Sequence, residues 1–241
     1  MFYWLLRHGI VGPYFDTVFR PWVVGEENIP ERGPAIIAGN HLSVFDSFIA
    51  PLVIDRRMYY LAKADYFTGK GLKGKLVKWF MKGVGQLPID RSGGKASEAS
   101  LSTALRVLGR GDVLGIYPEG TRSPDGKLYR GRTGVARMVL EGQVPVVPCV
   151  VIDTERVMPP GQRIPRVGRI GVIYGKPLDF SRYYGLTGDR FILRSITDEI
   201  MYEISRLGEQ EYVDVYATSV KAKIEAERRA EQAAKRASKR G

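Results

Sequence analysis

The chain has 241 residues, of which 44% are hydrophobic, as is typical of a single globular domain with appended segments and a full core. It carries 37 Lys and Arg against 26 Asp and Glu, and the formal net charge of +11 favours an anionic partner such as nucleic acid, a phosphorylated substrate or an acidic membrane. The single cysteine, Cys149, excludes a disulfide scaffold within the chain, and its apolar neighbours predict a core position and a reducing compartment.

The first 22 residues are rich in aromatic side chains but are interrupted by Arg7 and Pro13, so they form no apolar run of about 20 residues that could span a bilayer. The aromatic run precedes the first positive charge and no small-residue cleavage site follows it, which argues against a signal peptide. This composition predicts a helix or helical hairpin in the membrane interface. The alternative is a helix packed on the core of the domain.

An apolar run over 35–38 predicts a buried strand that ends at Gly39, and His41 follows as one of only two histidines in the chain. On a continuous helix, His41 and Asp46 would lie about 140° apart. They can therefore meet only if His41 lies on a loop and Asp46 in the first turn of the next helix, with Ser43 as its N-cap. In the alternative interpretation, Ser43 and Asp46 form a capping-box-like pair, and Asp46 serves only the helix start.

Strands and helices alternate along the rest of the chain. The pattern predicts strands over 58–63, 84–91, 112–117, 144–152 and 167–174, and helices over 43–54, 75–81, 97–108, 133–140 and 191–207. This alternation indicates an α/β fold with a mixed, largely parallel central sheet flanked by helices. We expect an interfacial helical segment over 1–22, one domain over 23–210, and a charged C-terminal helix or tail over 211–241.

Several motifs for other functions are weak or missing. Residues 69–74 match the dinucleotide-binding pattern GxGxxG, but their lysines and the lack of an evident βαβ unit favour a flexible basic loop. The chain lacks the GxSxG of serine hydrolases, the GxxxxGK[ST] of nucleotide-binding loops, and a Cys/His set for zinc. It also contains no recognisable nucleic-acid-binding module, so we expect no nucleic-acid partner.

Polar side chains cluster at the predicted strand ends or on the loops that follow them. These clusters are Asn40, His41 and Asp46; Lys63; Asp90 and Arg91; and Glu119, Thr121 and Arg122. In an open α/β sheet such ends tend to share one crevice, so the four clusters can form one site. Arginine suits phosphate oxygens, and one general base among cations indicates a phosphorylated alcohol as substrate.

Four sequence blocks, in order, resemble the glycerolipid acyltransferase family, which includes the 1-acylglycerol-3-phosphate (lysophosphatidic acid) acyltransferases. The blocks are NHxxxxD at 40–46, a glycine-containing strand ending in arginine at 85–91, YPEGTRS in place of FPEGTRS at 117–123, and the apolar VPVVPCV at 144–150. In the second block, Pro88 stands where many members have phenylalanine. Outside residues 39–150 the resemblance is loose.

This resemblance implies that His41 is a general base oriented by Asp46, and that it activates a glycerol hydroxyl for direct attack on an acyl thioester. It also implies that Arg91 and the loop of Glu119, Gly120, Thr121 and Arg122 hold the acceptor. Lys63 is a weaker addition, based on its charge at a strand end. The expected partners are acyl-CoA or acyl carrier protein as co-substrate, a lipid acceptor and an anionic membrane surface, with no metal or other cofactor.

The family resemblance does not identify the acceptor. We expect lysophosphatidate, and the alternatives are glycerol-3-phosphate, another lysophospholipid or a glycolipid headgroup. We expect a peripheral or monotopic protein on the cytoplasmic side of the cell membrane. An alternative of a different class is a non-catalytic, basic peripheral protein that binds anionic lipid through its termini.

Overall fold

The computed structural model describes residues 8–9, 12–89, 96–159, 162 and 164–238. The strands within these ranges are β1 Trp22–Val24, β2 Ala35–Gly39, β3 Met58–Lys63, β4 Gln86–Ile89, β5 Val113–Ile116, β6 Leu128–Tyr129, β7 Val146–Ile152, β8 Gly171–Tyr174 and β9 Tyr212–Val213. The α-helices are α1 Gly12–Val18, α2 Asp46–Leu52, α3 Gly71–Gly83, α4 Ala96–Leu108, α5 Gly134–Gly142, α6 Thr154–Val157, α7 Arg190–Gly208 and α8 Ala217–Ser238. Short 3₁₀ helices lie at Glu26–Asn28, Ala64–Phe67 and Ser181–Tyr183.

The main sheet has seven strands in the order β1-β8-β7-β2-β5-β3-β4, and β6 pairs with β9 in a separate two-stranded sheet. Neighbours in the main sheet are parallel except for the antiparallel pair β7 and β8. The predicted mixed, largely parallel sheet is therefore confirmed. Because β7, β2, β5, β3 and β4 run in the same direction, their carboxyl ends meet at one edge of the sheet.

Strand β2 lies in the middle of the sheet and is buried along its whole length. Ile36 belongs to a core cluster formed with α4, α5 and α7, while Ile37 belongs to the cluster on the other face, beneath α1 and α2. This alternation follows from the two-residue period of a strand. The central strand thus delivers the loop at 40–45 to the carboxyl edge from a rigid position.

The described part of the N-terminal segment packs on the domain. Phe15 and Phe19 are buried and their rings contact Phe45, although Tyr14 is 51% exposed. Trp22 was expected in the interfacial helical segment, but it begins β1, where its indole ring covers Gly171. Residues 1–7, 10 and 11 lie outside the described residues. None of the helices in the described ranges combines the length and apolar character needed to cross a membrane.

The segment at 69–74, expected to be a flexible basic loop, instead contributes the first turn of α3. Gly74 lies directly against Gly69, because a Cβ atom added to Gly74 would lie 2.1 Å from the Gly69 carbonyl oxygen. A side chain at this position is therefore excluded by backbone contact. The glycines serve a tight entry into a helix, which explains the GxGxxG spacing without a bound dinucleotide.

Candidate active site

The loop after β2 brings His41 and Asp46 together as predicted. His41 lies on the loop, Asp46 is the first residue of α2, and Nδ1 of the imidazole lies 2.8 Å from Oδ2 of the carboxylate. The Asp46 side chain is fully buried, whereas 17% of the His41 side chain is exposed. One face of the histidine is thus held by protein while part of the ring stays open to a ligand.

Asp46 accepts further hydrogen bonds that fix its position. Oδ2 also accepts from the backbone amides of Leu42 and Ser43 at 2.7 and 2.8 Å, and Oδ1 accepts from the Thr154 hydroxyl at 2.6 Å. Asp46 therefore serves both the helix start and the histidine, so the two interpretations of its spacing are compatible. Because both Asp46 oxygens accept hydrogen bonds from neighbouring donors, Nδ1 of His41 is assigned as a further donor to Oδ2, and Nε2 keeps the free lone pair of a base.

Ser43 was predicted as the N-cap of the helix, and this is wrong. The helix begins three residues later, at Asp46, with Phe45 at the N-cap position and no side-chain cap. The Ser43 hydroxyl instead donates to the carbonyl oxygen of Met158 at 2.9 Å and accepts from the Phe45 amide at 3.3 Å. This serine therefore ties the histidine loop to the segment after β7, where Thr154 also lies.

The imidazole of His41 stacks on the ring of Tyr117, with centroids 3.9 Å apart and planes at 7°. The Tyr117 hydroxyl forms a 2.9 Å hydrogen bond with Ser47 in α2. Burial holds the pKa of Tyr117 well above its usual range, so its hydroxyl stays neutral. Tyrosine in place of phenylalanine in the third block thus adds a hydrogen bond that fixes the ring beneath the histidine.

The loop after β5 contacts the histidine loop directly, since the Ser123 amide donates to the His41 carbonyl oxygen at 2.6 Å. Gly120 in this loop has φ +72°, and an added Cβ would lie 3.1 Å from the side chain of Arg132. The positive φ therefore favours glycine here, and a larger side chain would also displace the Arg132 side chain slightly. Adjacent parallel strands, β2 and β5, thus present the first and third sequence blocks side by side.

Glu119 points into the protein rather than toward the surface, with 1% of its area exposed. Its Oε2 accepts from the Tyr129 amide at 3.0 Å, and Oε1 is buried with no hydrogen-bond partner among the described residues. Burial raises the pKa of the carboxyl to about 8. Near neutral pH it is therefore protonated, and its position fits a role in shaping the loop better than direct contact with an acceptor.

Beside Thr121, Arg122 and Lys221 form a cationic cluster; Lys221 belongs to α8 and was missed by the sequence interpretation. Lys221 Nζ donates to Thr121 Oγ1 at 2.8 Å. Burial, and secondarily the charge of Arg122, lower the pKa of Lys221. A second contact holds α8 here, because Arg132 donates to the Thr218 hydroxyl at 3.1 Å. Positive charges that repel each other in a partly buried position are typical of an anion-binding site.

The side chains of two predicted residues lie outside the description. Lys63 ends β3, whose carboxyl end lies at the same sheet edge as that of β5, but its side chain is outside the description. Arg91 lies in the segment 90–95, which falls outside the described residues, so its role stays a prediction.

Asn40 connects the site to the rest of the sheet. Its Oδ1 accepts from the Val151 amide at 2.8 Å, and its Nδ2 donates to the Val151 carbonyl oxygen at 3.1 Å. The same amide nitrogen also donates to Oε1 of Gln210 at 2.8 Å. The side chain thereby extends the pairing of β2 with β7 beyond Gly39 and fixes where the histidine loop departs.

The described residues contain no group of three or more His, Cys, Asp or Glu placed to hold a metal ion. Within the described part of the chain, the site contains a histidine–carboxylate pair, an aromatic support and a neighbouring cationic cluster.

The family model described as Acyltransferase matches residues 20–152 of the chain. A chloroplastic 1-acyl-sn-glycerol-3-phosphate acyltransferase of Arabidopsis thaliana is 28% identical over 162 residues, which cover 66% of this chain and 44% of that protein. A 1-acyl-sn-glycerol-3-phosphate acyltransferase of Bacillus subtilis is 29% identical over 158 residues, which cover 65% of this chain and 72% of that protein. The chain thus spans less than half the length of the plant relative.

A solved structure is also similar. The crystal structure of the 1-acyl-sn-glycerophosphate (LPA) acyltransferase from Thermotoga maritima matches with a TM-score of 0.60 and 25% identity, covering 78% of this chain and 72% of that one.

Proposed function

Because the chain belongs to the Acyltransferase family, whose model matches residues 20–152, we propose that it transfers a fatty acyl group from an acyl thioester to a hydroxyl of lysophosphatidate, forming phosphatidate. One observation carries this proposal: the 2.8 Å contact between His41 and a fully buried Asp46, beside the cationic cluster of Arg122 and Lys221. A base next to cations is the arrangement that a phosphorylated alcohol requires.

In the proposed reaction, Nε2 of His41 takes the proton of the acceptor hydroxyl while the oxygen attacks the thioester carbonyl carbon. The new carbon–oxygen bond forms as the carbon–sulfur bond breaks, and the thiolate leaves and takes up the proton from the imidazolium. Asp46 stabilises that imidazolium and holds the tautomer in which Nε2 is the base. No nucleophilic side chain is needed, so the transfer is direct and forms no acyl-enzyme.

Arg122 and Lys221 supply the positive charge for the acceptor phosphate in this proposal, with Arg91 as a further candidate from the sequence. The raised pKa of Glu119, about 8, supports this assignment. A neutral Glu119 leaves the two cations uncompensated, and an uncompensated cation pair favours a bound dianion.

The donor is acyl-CoA or acyl carrier protein, and neither a metal nor another cofactor takes part in the proposed step. Because acceptor and product are lipids, we place the protein at an anionic membrane surface, on the cytoplasmic side, as a peripheral or monotopic protein. The net charge of +11 and the exposed apolar side chains support this placement.

The proposal is tested by following thiol release from palmitoyl-CoA with no acceptor and with lysophosphatidate, glycerol-3-phosphate, a lysophosphatidylcholine or a mannoside as acceptor. The same panel is repeated with palmitoyl-acyl carrier protein. We expect release that depends on lysophosphatidate and yields phosphatidate. Release that requires no acceptor would identify a thioesterase, and release that is supported only by the mannoside would contradict the phosphate assignment. If no donor and acceptor pair reacts, the protein is not the proposed enzyme.

A further inference from the structure

Helix α3 exposes an apolar stripe to solvent. Leu72 is 85%, Leu76 is 61% and Trp79 is 53% exposed. At 100° per residue these three side chains fall within an arc of about 60°, one turn above another. The buried Met81 lies on the opposite side of the helix, so α3 has one apolar side that packs on the domain and another that meets solvent.

A row of lysines borders the exposed stripe. Lys75, Lys78 and Lys82 are all exposed and occupy the adjacent arc, also about 60° wide. The helix contains no Asp or Glu. Apolar side chains with a tryptophan, flanked by lysines alone, are the composition of a helix that lies in the interface of an anionic bilayer. The interface of an anionic bilayer matches both the lysines and the protruding leucine, which is 85% exposed.

The position of α3 connects this surface to the candidate active site. The helix follows β3 and the 3₁₀ turn Ala64–Phe67, and so begins near the carboxyl edge of the sheet. The Phe80 ring lies 6.0 Å from that of Phe48 in α2, the helix that Asp46 begins. A bilayer against the stripe would therefore lie beside the helix that orients His41.

We propose that the α3 stripe, Leu72, Leu76 and Trp79 with the lysine row Lys75, Lys78 and Lys82, docks the protein on an anionic phospholipid bilayer. The inference deepens the proposed function, on which it rests for the presence of a lipid substrate. The described part of the N-terminal segment is a weaker docking surface, because Phe15 in α1 and Phe19 just after it are buried in the core.

The test is co-sedimentation of the full chain with vesicles of phosphatidylcholine, with or without phosphatidylglycerol. The stripe variant is Leu72→Ser/Leu76→Ser/Trp79→Ser. Its matched control is Leu186→Ser/Phe191→Ser/Tyr202→Ser, which removes three side chains of comparable exposure, 46%, 88% and 64%, in and just before α7. We expect the stripe variant to lose affinity for anionic vesicles by about tenfold or more, and the control by less than about twofold.

A second pair of variants tests the charges. Lys75→Gln/Lys78→Gln/Lys82→Gln should weaken binding to anionic vesicles and leave binding to neutral ones unchanged, since each basic residue near an anionic surface contributes on its own. Arg228→Gln/Lys235→Gln/Arg236→Gln is the control, because it removes three charges from exposed positions of α8, and we expect it to bind like the original chain. Equal losses from the α3 variant and the α8 control would show that overall charge binds the vesicle, which would overturn the assignment to α3.

Activity separates this inference from the proposed function. With a short-chain lysophosphatidate dissolved as monomers, the stripe variant should keep its turnover, while turnover on vesicle-bound lysophosphatidate should fall with binding.

If the original chain turns over lysophosphatidate and the stripe variant still binds vesicles normally, the docking surface is wrong and the function stands. If the original chain is inactive yet loses vesicle binding in the stripe variant, the function is wrong and the surface stands. A stripe variant that changes only from dimer to monomer by light scattering would identify the face as a contact between copies and overturn the inference.

Discussion

We expect Glu119 to make the folded protein less stable as pH rises. Burial raises the pKa of this carboxyl from its ordinary 4.5 to about 8. Below pH 4.5 it is protonated in both folded and unfolded chains. Between the two values the unfolded chain releases the proton and the folded chain keeps it, so the free energy of unfolding falls across this window and the loss is complete above about pH 8.

The size of this loss follows from the pKa difference. About 3.5 pH units correspond to about 5 kcal/mol, of which about 3 kcal/mol is already lost at pH 7. Glu119→Gln isolates the effect. Glutamine has nearly the same shape, its side-chain oxygen can accept the hydrogen bond from the Tyr129 backbone amide, and it does not titrate. Urea unfolding of both proteins at pH 5 and pH 8 measures it.

Subtracting the variant from the original chain at each pH cancels the other titrating groups. We expect the stability of the original chain relative to the variant to fall by about 4 kcal/mol between pH 5 and pH 8. A relative stability that is the same at both pH values, or that rises, would refute the claim that Glu119 is buried and protonated. It would also remove the argument that Arg122 and Lys221 are uncompensated near neutral pH.

Three further substitutions test contacts around the site. Thr154→Val removes a hydrogen-bond donor to the buried carboxylate of Asp46. We expect the free energy of unfolding, measured in urea, to fall by about 1–3 kcal/mol and kcat to fall as well. Thr154→Ser should restore both. Lys221→Met should raise KM for lysophosphatidate about tenfold with a small change in kcat, as measured by initial rates, because it removes one cation from the proposed phosphate site. Asn40→Ala leaves the Val151 backbone without its partners, and we expect urea unfolding to show a loss of about 2–5 kcal/mol.

Each of these has a contrary outcome. Equal behaviour of the serine and valine variants at position 154 would show that the hydroxyl does not support the catalytic pair. An unchanged KM for Lys221→Met, together with a normal fold by circular dichroism, would remove α8 from the acceptor site. A stability change below about 1 kcal/mol for Asn40→Ala would mean that the link between β2 and β7 carries little of the fold.

The order of elements and the central contact could be predicted because they depend on local pattern. The apolar run before Gly39 predicted a buried strand. The spacing of His41 and Asp46 predicted that the two side chains could meet only if His41 lay on a loop and Asp46 in the first turn of the next helix. Parallel strands then brought the first and third sequence blocks to one edge, as the topology of an open sheet requires.

The residues that were missed come from distant segments. Thr154 bonds Asp46 across 108 positions and Lys221 bonds Thr121 across 100, and neither lies in a recognisable motif. The charged helix α8 is mostly exposed, as its composition indicates, so nothing local distinguishes Lys221 from its neighbours. The inward direction of Glu119 depends on its packing against β6, which spacing along the chain does not determine.

The most direct test of the central claim is phosphatidate formation from palmitoyl-CoA and lysophosphatidate by the original chain and by His41→Asn. Asparagine is smaller than histidine and polar, but it cannot act as a base near neutral pH. We expect loss of turnover by at least about 100-fold, with vesicle binding and the circular dichroism spectrum unchanged, because general-base catalysis contributes about 10²–10⁴-fold. Phosphatidate formed by the variant at the original rate would show that His41 is not the base and would contradict the proposed mechanism.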